Sequence, residues 1–230
     1  MAAYESKRAV VLAAGRGARM GELTEQVPKP MLPLDGKPLL EHVLGSLRQA
    51  GFNEVLLVTG YRREIIEQRF PGYPMRVQEP QDGTGSATLL GREFTGDGAF
   101  LLTFGDILVE PDCYRGIWRR LMEDPRAFGV CGVRLVDDPS EGAAVYEREG
   151  AVTRIVEKPP PGASSTNWNS AGLYAFRPAI YEALERLKKS PRGEYELTSA
   201  VSEMVEGGGR LLLYAIEGDW GHVTRPEDVA

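Results

Sequence analysis

The chain has 230 residues, 42% of them hydrophobic, and a formal net charge of −6. This length predicts one sizeable core, and the acidic balance argues against a surface that coats nucleic acid. No apolar run approaches membrane length, and residues 1–8 contain no apolar leader segment. Cys113 and Cys131 lack metal-type or redox spacing, so buried thiols are expected. We therefore expect a cytoplasmic protein that binds neither nucleic acid nor membrane.

The first predicted element is a buried strand that runs directly into a glycine loop. Val10–Ala14 is an apolar run too short for a helix core, and Gly15 and Gly17 follow it at once. Glycines after a strand let the backbone approach a ligand, and their N–H groups can point at an anion. Arg16 and Arg19 add positive charge. The segment therefore predicts a polyphosphate site.

A lysine held between prolines follows this loop. Pro28 and Pro30 fix the backbone on either side of Lys29. The whole segment resembles the signature of the sugar-1-phosphate nucleotidyltransferase family, L-A-A-G-x-G-x-R-M, a variable insert, then P-K-P-M-L-P. All fixed positions of that signature are present: Leu12, Ala13, Ala14, Gly15, Gly17, Arg19, Met20, Pro28, Lys29, Pro30, Met31, Leu32 and Pro33.

Strands alternate with helices after the signature. Apolar residues between 39 and 47 have helical spacing, with Pro38 suited to a first helical turn. Residues 54–59 predict a second strand, 64–70 a helix and 75–78 a third strand. This order predicts a Rossmann-like three-layer α/β sandwich with a mostly parallel, mixed central sheet. Ligands of such sheets bind at the carboxyl ends of the strands, where the glycine loop lies.

A second glycine segment, VQEPQDGTGSA, lies at residues 77–87. Taken alone, it predicts a glycine turn between a strand and a helix that begins near Ser86. It also resembles the family segment that holds the nucleobase and ribose. On that resemblance, Gln78 would contact the base edge, while Gly83 and Thr84 would let the base lie close to the backbone.

Metal ligands are expected at two places in the chain. The apolar strand 99–104 ends at Asp106, where the family carries a metal-binding aspartate, and a carboxylate there can hold Mg²⁺ against phosphate oxygens. Asp112 is the predicted cap of the next helix. Near the end, DWGHVTRPEDV resembles a second family motif, but His222 stands where its metal-binding aspartate belongs. Imidazole is a poorer Mg²⁺ ligand, so three readings stay open: His222 coordinates weakly, Asp219 reaches in, or one metal contact is missing.

The sugar-phosphate half is predicted around a small β-hairpin lobe. Apolar and polar residues alternate within 142–156, on both sides of the turn-like stretch 147–150, which predicts a β-hairpin. This segment leads into an E-K-P motif at Glu157 and Lys158. By itself, an E-K pair at a strand end is usually a solvated surface pair. This one matches the family's E-K-P, in which the glutamate accepts hydrogen bonds from sugar hydroxyls and the lysine meets the sugar phosphate. Gly142 matches a family glycine that lines the sugar pocket.

One strand departs from the family pattern. SAGLYAF, from residue 170, resembles the family's N-A-G-I-Y-x-F, but Ser170 occupies the slot of a sugar-contacting asparagine. Asn169 lies one position earlier, and neighbouring strand residues face opposite ways, so it cannot replace that asparagine without a bulge. Asn169 and Ser170 are therefore both candidates for sugar-phosphate binding. RGEYELTSAV, near the start of the predicted helix 195–206, resembles the family's R-G-E-Y-E-L-T-D.

The resemblance covers residues 8–229 and implies a single nucleotidyltransferase domain over 1–230. A nucleotide-binding half of about 1–110 would precede a sugar-phosphate-binding half of about 111–230. The implied reaction, of EC 2.7.7 type, condenses a nucleoside triphosphate with a sugar 1-phosphate, with Mg²⁺ as cofactor. The implied catalytic residues are Arg19, Lys29 and Asp106. The implied nucleotide-binding residues are Leu12, Ala13, Ala14, Gly15, Gly17, Gln78, Gly83 and Thr84.

Other functions remain open at the level of the sequence. The chain could be a non-catalytic regulatory relative, which His222 favours, or it could act on a non-sugar phosphate such as an alditol or choline phosphate. A nicotinamide-dependent oxidoreductase is disfavoured, because it expects an acidic residue near the end of the second strand, where Thr59, Gly60 and Tyr61 stand. The base, the sugar and the oligomeric state are not determined, and a homo-oligomer is compatible with the sequence.

Overall fold

The structure, a computed structural model, describes residues 7–218 and 220–222, apart from the side chains of Ala18, Arg19, Trp220 and His222. Its longer strands coincide with the apolar runs of the sequence. The strands are β1 (Arg8–Ala13), β2 (Pro33–Leu34), β3 (Lys37–Pro38), β4 (Glu54–Thr59), β5 (Met75–Val77), β6 (Phe100–Phe104), β7 (Ile107–Val109), β8 (Ala127–Leu135), β9 (Ala143–Arg148), β10 (Ala151–Glu157), β11 (Trp168–Phe176), β12 (Arg210–Ala215) and β13 (Trp220–His222).

The helices are short and connect successive strands. They are α1 (Leu39–Gln49), α2 (Arg63–Arg69), α3 (Thr84–Leu89), α4 (Arg92–Thr95), α5 (Pro111–Glu123), α6 (Ile180–Glu185) and α7 (Leu197–Glu206). Short 3₁₀ segments lie at Ala18–Thr24, Lys29–Met31 and Pro139–Glu141. None of the helices in the described ranges is long and apolar enough to cross a membrane.

One nine-stranded mixed sheet organises the chain, in the order β5-β4-β1-β6-β11-β8-β12-β10-β9. The strands β5, β4, β1 and β6 are parallel, and β11 is antiparallel to both β6 and β8. The edge at which β1, β4 and β6 end is called the carboxyl edge below. Because β11 runs the opposite way, its first residues also lie at the carboxyl edge. Residues from both halves of the sequence therefore meet there.

Helices cover both faces of this sheet, which makes three layers. The side chains of β1 alternate between the two faces of the sheet. On one face, Ala9, Val11 and Ala13 pack with α1, α2 and α5. Val10 and Leu12 pack with α3, α6 and α7 on the other face. Since strand side chains alternate with a period of two, a continuous apolar run supplies both layers at once. The predicted three-layer sandwich is confirmed in this arrangement.

Several local expectations differ from the structure. Pro38 belongs to β3, where it pairs with Pro33, and α1 begins one residue later. Asp112 lies within the first turn of α5 rather than at its cap, because α5 already begins at Pro111 with Glu110 as its N-cap. The hairpin of β9 and β10 forms as predicted, but it pairs with β12 at one end and with β11 at Asn169 at the other. This second attachment brings the end of β10 to the carboxyl edge.

Candidate active site

The glycine loop follows β1 at the carboxyl edge and lies between the ends of β4 and β6. The N–H of Gly105 donates to the carbonyl of Leu12 at 2.9 Å, and the N–H of Tyr61 donates to the carbonyl of Ala14 at 3.0 Å. These bonds fix the backbone on both sides just before it turns away from the sheet. Gly15 is exposed, and no atom lies within 4 Å of the position that a Cβ would take there. The loop therefore presents open backbone to solvent.

Lys29 and Asp106 form an ion pair beneath this loop. The side chains of Lys29 and Asp106 are 11% and 15% exposed, respectively, and the Lys29 ammonium donates to a carboxylate oxygen of Asp106. Gly17 covers the pair: it has φ of 72°, and a Cβ there would lie 2.7 Å from Cβ of Lys29. The sequence predicted both charged residues at this edge, and the structure brings them together. The side chain of Arg19, the third predicted catalytic residue, lies outside the described part.

The structure describes the predicted metal site only in part. His222 in β13 is paired with Ile107, the residue that follows Asp106. The side chain of His222 and the whole of Asp219 lie outside the described residues. Within the described residues, no group of three or more His, Cys, Asp or Glu side chains gathers. Asp106 is thus the one predicted metal ligand whose side chain is placed.

The predicted base-contacting residues pack against a later part of the chain. Gln78 is 6% exposed, and its Nε2 donates to the carbonyl of Gly83 at 2.7 Å and to Oγ of Ser86 at 2.9 Å. A Cβ on Gly83 would lie 2.3 Å from the carbonyl oxygen of Tyr195. The hydroxyl of Thr84 accepts from the N–H of Leu197 at 3.0 Å. The chain's own packing therefore accounts for the glycine at position 83, independently of any base.

Glu157, the last residue of β10, is held by residues of the RGEYELT motif. Its Oε2 accepts from the hydroxyl of Thr198 at 3.0 Å, and Arg192 lies 3.6 Å from its other oxygen. Burial raises the pKa of Glu157, and neighbouring Glu196 adds to the rise, while the Thr198 hydroxyl, Arg192 and Lys158 oppose it. A carboxylate held this way keeps acceptor capacity for a ligand hydroxyl.

The strand β11 resolves how Asn169 and Ser170 are oriented. The Oδ1 of Asn169 lies 2.3 Å from the position of a Cβ on Gly142, so these two residues touch. Ser170 faces the opposite way, because its hydroxyl lies 2.6 Å from that of Tyr174. The N–H of Lys158 donates to the carbonyl of Gly142 at 2.7 Å, which places the E-K pair beside Asn169. The predicted residues Gly142, Lys158 and Asn169 thus form one cluster, and Ser170 points away from it.

Sequence reasoning missed several residues of this edge. Thr198 and Arg192 lie in the RGEYELT motif, which resembles a family motif. Their contacts with Glu157 join segments that are far apart in the chain, so the sequence alone does not predict these contacts. The sequence predicts for Ser86 only a helix start, whereas in the structure its hydroxyl accepts a hydrogen bond from Gln78. In the sequence, Tyr61 argues only against a dinucleotide site, whereas in the structure its N–H donates to Ala14 of the glycine-loop segment. The motif RGEYELT was the signal that could have identified the first two.

A model of the nucleotidyl transferase family matches residues 8–228. The chain belongs to the nucleotidyl transferase family. The predicted family and fold are thereby confirmed. Among curated nucleotidyl transferases, the UTP–glucose-1-phosphate uridylyltransferase AglF of Haloferax volcanii is 34% identical over 230 residues, covering 96% of this chain and 93% of AglF.

Other relatives are longer than this nucleotidyl transferase chain. The bifunctional protein GlmU of Methanococcus vannielii is 35% identical over 231 residues, which cover 96% of this chain but 53% of GlmU. The chain thus spans about half the length of the GlmU proteins that it matches. A UDP-glucose pyrophosphorylase solved with UDP-glucose superimposes with a TM-score of 0.85, at 22% identity over 97% of this chain and 95% of that chain. At that identity the superposition shows a shared fold.

Proposed function

We propose that this chain joins a nucleoside triphosphate to a sugar 1-phosphate and releases pyrophosphate. The observation that carries the proposal is the largely buried pair of Lys29 and Asp106 beneath an open glycine loop. A phosphate oxygen of the sugar 1-phosphate attacks the α-phosphorus of the nucleotide. As that P–O bond forms, the bond from the α-phosphorus to the oxygen that bridges it to the β-phosphate breaks. Its electron pair leaves with pyrophosphate.

Both substrates are polyanions, so charge neutralisation and alignment carry most of the catalysis. Lys29 would exchange part of its contact with Asp106 for the α-phosphate and the leaving pyrophosphate, together with Arg19. The loop backbone from Ala14 to Gly17 would cradle the triphosphate, since Gly15 is exposed with free space around its Cα and backbone N–H groups can bind anions. Lys158 is exposed and would hold the phosphate of the sugar in line.

The residues present fit a bound Mg²⁺. This ion takes oxygen ligands and is usually held by one or two carboxylates plus substrate phosphates, without an all-protein cage. Asp106 supplies such a carboxylate at the carboxyl edge, beside the open glycine loop. His222 or Asp219 is the proposed second protein ligand. When bound, the ion would neutralise phosphate charge between the two substrates.

The hydrogen bonds of Gln78 favour a base that carries an imino N–H. The carbonyl of Gly83 can only accept, so the amide atom 2.7 Å from it is the NH₂ group of Gln78. Among the described residues, no donor lies within hydrogen-bond distance of Oε1 of Gln78, and this atom is accessible to solvent. Oε1 is therefore available to accept a hydrogen bond from a ligand.

Uracil and thymine offer N3–H to such an acceptor, and guanine offers N1–H, whereas adenine and cytosine carry a lone pair at the equivalent ring nitrogen. The name of AglF, which specifies UTP and glucose 1-phosphate, supports the choice of a uracil nucleotide. We therefore propose UTP or dTTP as the nucleotide and a hexose 1-phosphate as the acceptor. Glu157 would bind the sugar hydroxyls, as the resemblance implies, and Asn169, which touches Gly142, would contact the sugar beside it.

Pyrophosphate release measured over a matrix of substrates tests this proposal. UTP, dTTP, GTP, CTP and ATP are each paired with several sugar 1-phosphates, an alditol phosphate and choline phosphate. The highest rate is expected with UTP or dTTP and a hexose 1-phosphate. A preference for ATP or CTP would contradict the argument from Gln78. Nucleotide-sugar binding without pyrophosphate release from any pair would identify a non-catalytic relative instead.

The role of Lys29 is tested by Lys29→Met, with Lys37→Met as the matched control. Lys37 is exposed in β3 and is not part of the ion pair. Loss of an electrostatic clamp on a transferring phosphate costs about 10²-fold or more in rate. We expect that loss for Lys29→Met and wild-type rates for Lys37→Met, with urea unfolding used to confirm that both variants fold. Equal rates for both variants would contradict the proposed clamp.

A further inference from the structure

Tyr61, the second residue after β4, contacts the beginning, the middle and the end of the segment that carries the glycine loop. Its N–H donates to the carbonyl of Ala14 at 3.0 Å. Its ring lies under the guanidinium of Arg16, with 5.5 Å from Cζ to the ring centroid. Its hydroxyl donates to the carbonyl of Glu25 at 2.5 Å. The backbone and side chain of this one residue therefore contact the segment at three points, from Ala14 to Glu25.

Arg62 strengthens the same attachment. Its guanidinium lies 5.9 Å from the centre of the Tyr61 ring, and its Nη2 donates to the carbonyl of Glu25 at 3.4 Å. Two guanidinium groups thus lie within cation–π range of one ring, and two donors meet one carbonyl. The segment from Ala14 to Glu25 is closed onto the end of β4 by these contacts.

We propose that Tyr61 is a positioning residue for the nucleotide: it holds Arg16 and the Glu25 end of the segment in place before the triphosphate binds. The proposal rests on the proposed function only in taking a nucleoside triphosphate as the ligand. Arg16 is an exposed arginine in the loop expected to cradle phosphate. A long, exposed arginine has many rotamers, and ordering it on an aromatic ring lowers the entropy lost when a phosphate binds.

The contacts predict a selective effect on one substrate. Tyr61 touches the loop on the nucleotide side, whereas the cluster of Glu157, Lys158 and Asn169 belongs to other strands. Losing a preformed cation–π contact and one hydrogen bond is expected to raise the KM for the nucleotide about tenfold. The KM for the sugar phosphate and the value of kcat are expected to change less than about threefold, because the ion pair of Lys29 and Asp106 is untouched.

The experiment compares Tyr61→Ala, Tyr61→Phe and Tyr73→Ala. Tyr73 is a matched control: its hydroxyl accepts from Arg48 at 3.2 Å and its ring packs on Phe70, but it precedes β5 at the opposite edge of the sheet. Tyr61→Ala should show the full rise in nucleotide KM. Tyr61→Phe keeps the ring under Arg16 and should recover part of the affinity. Tyr73→Ala should leave both KM values at the wild-type level.

A double-mutant cycle shows whether Tyr61 acts through Arg16. In an Arg16→Ala background, Tyr61→Ala should add less than about threefold to the nucleotide KM, because only the contact of Tyr61 with Glu25 then remains to be lost. If the increase in nucleotide KM of the double variant equalled the product of the increases in the two single variants, the proposal would be overturned. So would an unchanged nucleotide KM in Tyr61→Ala, or equal rises in KM for both substrates, which would indicate a general loss of structure.

Limited trypsin digestion of the free protein tests the proposal without any substrate. Proteases cleave mobile backbone faster than backbone held in place, so Tyr61→Ala should be cut after Arg16 faster than wild type and Tyr73→Ala should not. Unchanged cleavage in Tyr61→Ala would contradict the positioning role. This readout stands even if pyrophosphate release fails for every substrate pair, so failure of the proposed reaction and failure of this inference are distinguishable.

Discussion

Replacing Gly17 by alanine should disturb the site without changing any charged residue. Gly17 has φ of 72°, a conformation that L side chains rarely adopt. A new Cβ would lie 2.7 Å from Cβ of Lys29 and 3.2 Å from its Cγ and Cδ. Lys29 is fixed between Pro28 and Pro30 and is largely buried, so its Cβ cannot simply rotate away. Either the loop must lift or Lys29 must shift.

Two costs are expected in Gly17→Ala. The left-handed backbone conformation costs about 1–2 kcal/mol for a residue with a Cβ. The overlap with Lys29 adds about 1–3 kcal/mol, the usual range for inserting a methyl group into packed surroundings. Gly36→Ala separates the two terms, because Gly36 has φ of 76° and no atom within 4 Å of the added Cβ. We therefore expect a loss in the free energy of unfolding of about 2–5 kcal/mol for Gly17→Ala and about 1–2 kcal/mol for Gly36→Ala.

The assay pairs urea unfolding with pyrophosphate release. A displacement of about 1 Å in a catalytic group can cost about 10²-fold in rate, so Gly17→Ala should lose activity under conditions in which it stays folded. Gly36→Ala should keep the wild-type rate. Equal stability losses in the two variants, or full activity in Gly17→Ala, would refute the reasoning that Gly17 packs directly against the Lys29 side chain.

Two further predictions concern the partly buried carboxyl of Glu157 and the proposed second metal ligand. Burial raises the folded-state pKa of Glu157, so its contribution to stability is present below the ordinary glutamate pKa of about 4.3 and is lost as pH rises through the folded-state pKa. In urea unfolding, Glu157→Gln should therefore gain stability relative to wild type as pH rises above about 4.3. Glu194→Gln, at a 47% exposed side chain that also meets Arg192, is the control, and the same gain there would contradict the burial argument. In titrations of Mg²⁺ against initial rate, His222→Asp should lower the half-maximal concentration and His222→Ala should raise it. If both variants overlay the wild type and only Asp219→Ala shifts, His222 is not a ligand.

The glycine loop, Lys29 and Asp106 were predictable because each belongs to a short, contiguous pattern. A strand followed by glycines, a lysine between prolines and an acid at the end of an apolar run require no knowledge of distant contacts. The order of strands and helices followed from hydrophobic periodicity in the same way, which was sufficient to predict a layered α/β sandwich. Short sequence patterns reflect the preferences of the local backbone. The sequence by itself therefore determined the local elements and the residues that end them.

Tertiary structure decided the contacts between distant segments. Lys29 and Asp106 are 77 positions apart, and only the adjacency of β1 and β6 brings them together. Periodicity shows that Asn169 and Ser170 face opposite ways, but the pairing of β11 with β9 decides that Asn169 meets Gly142. The role of Tyr61 likewise depends on the parallel register of β4 with β1. Register and strand order are set by the packing of the whole core, so no single stretch of sequence contains them.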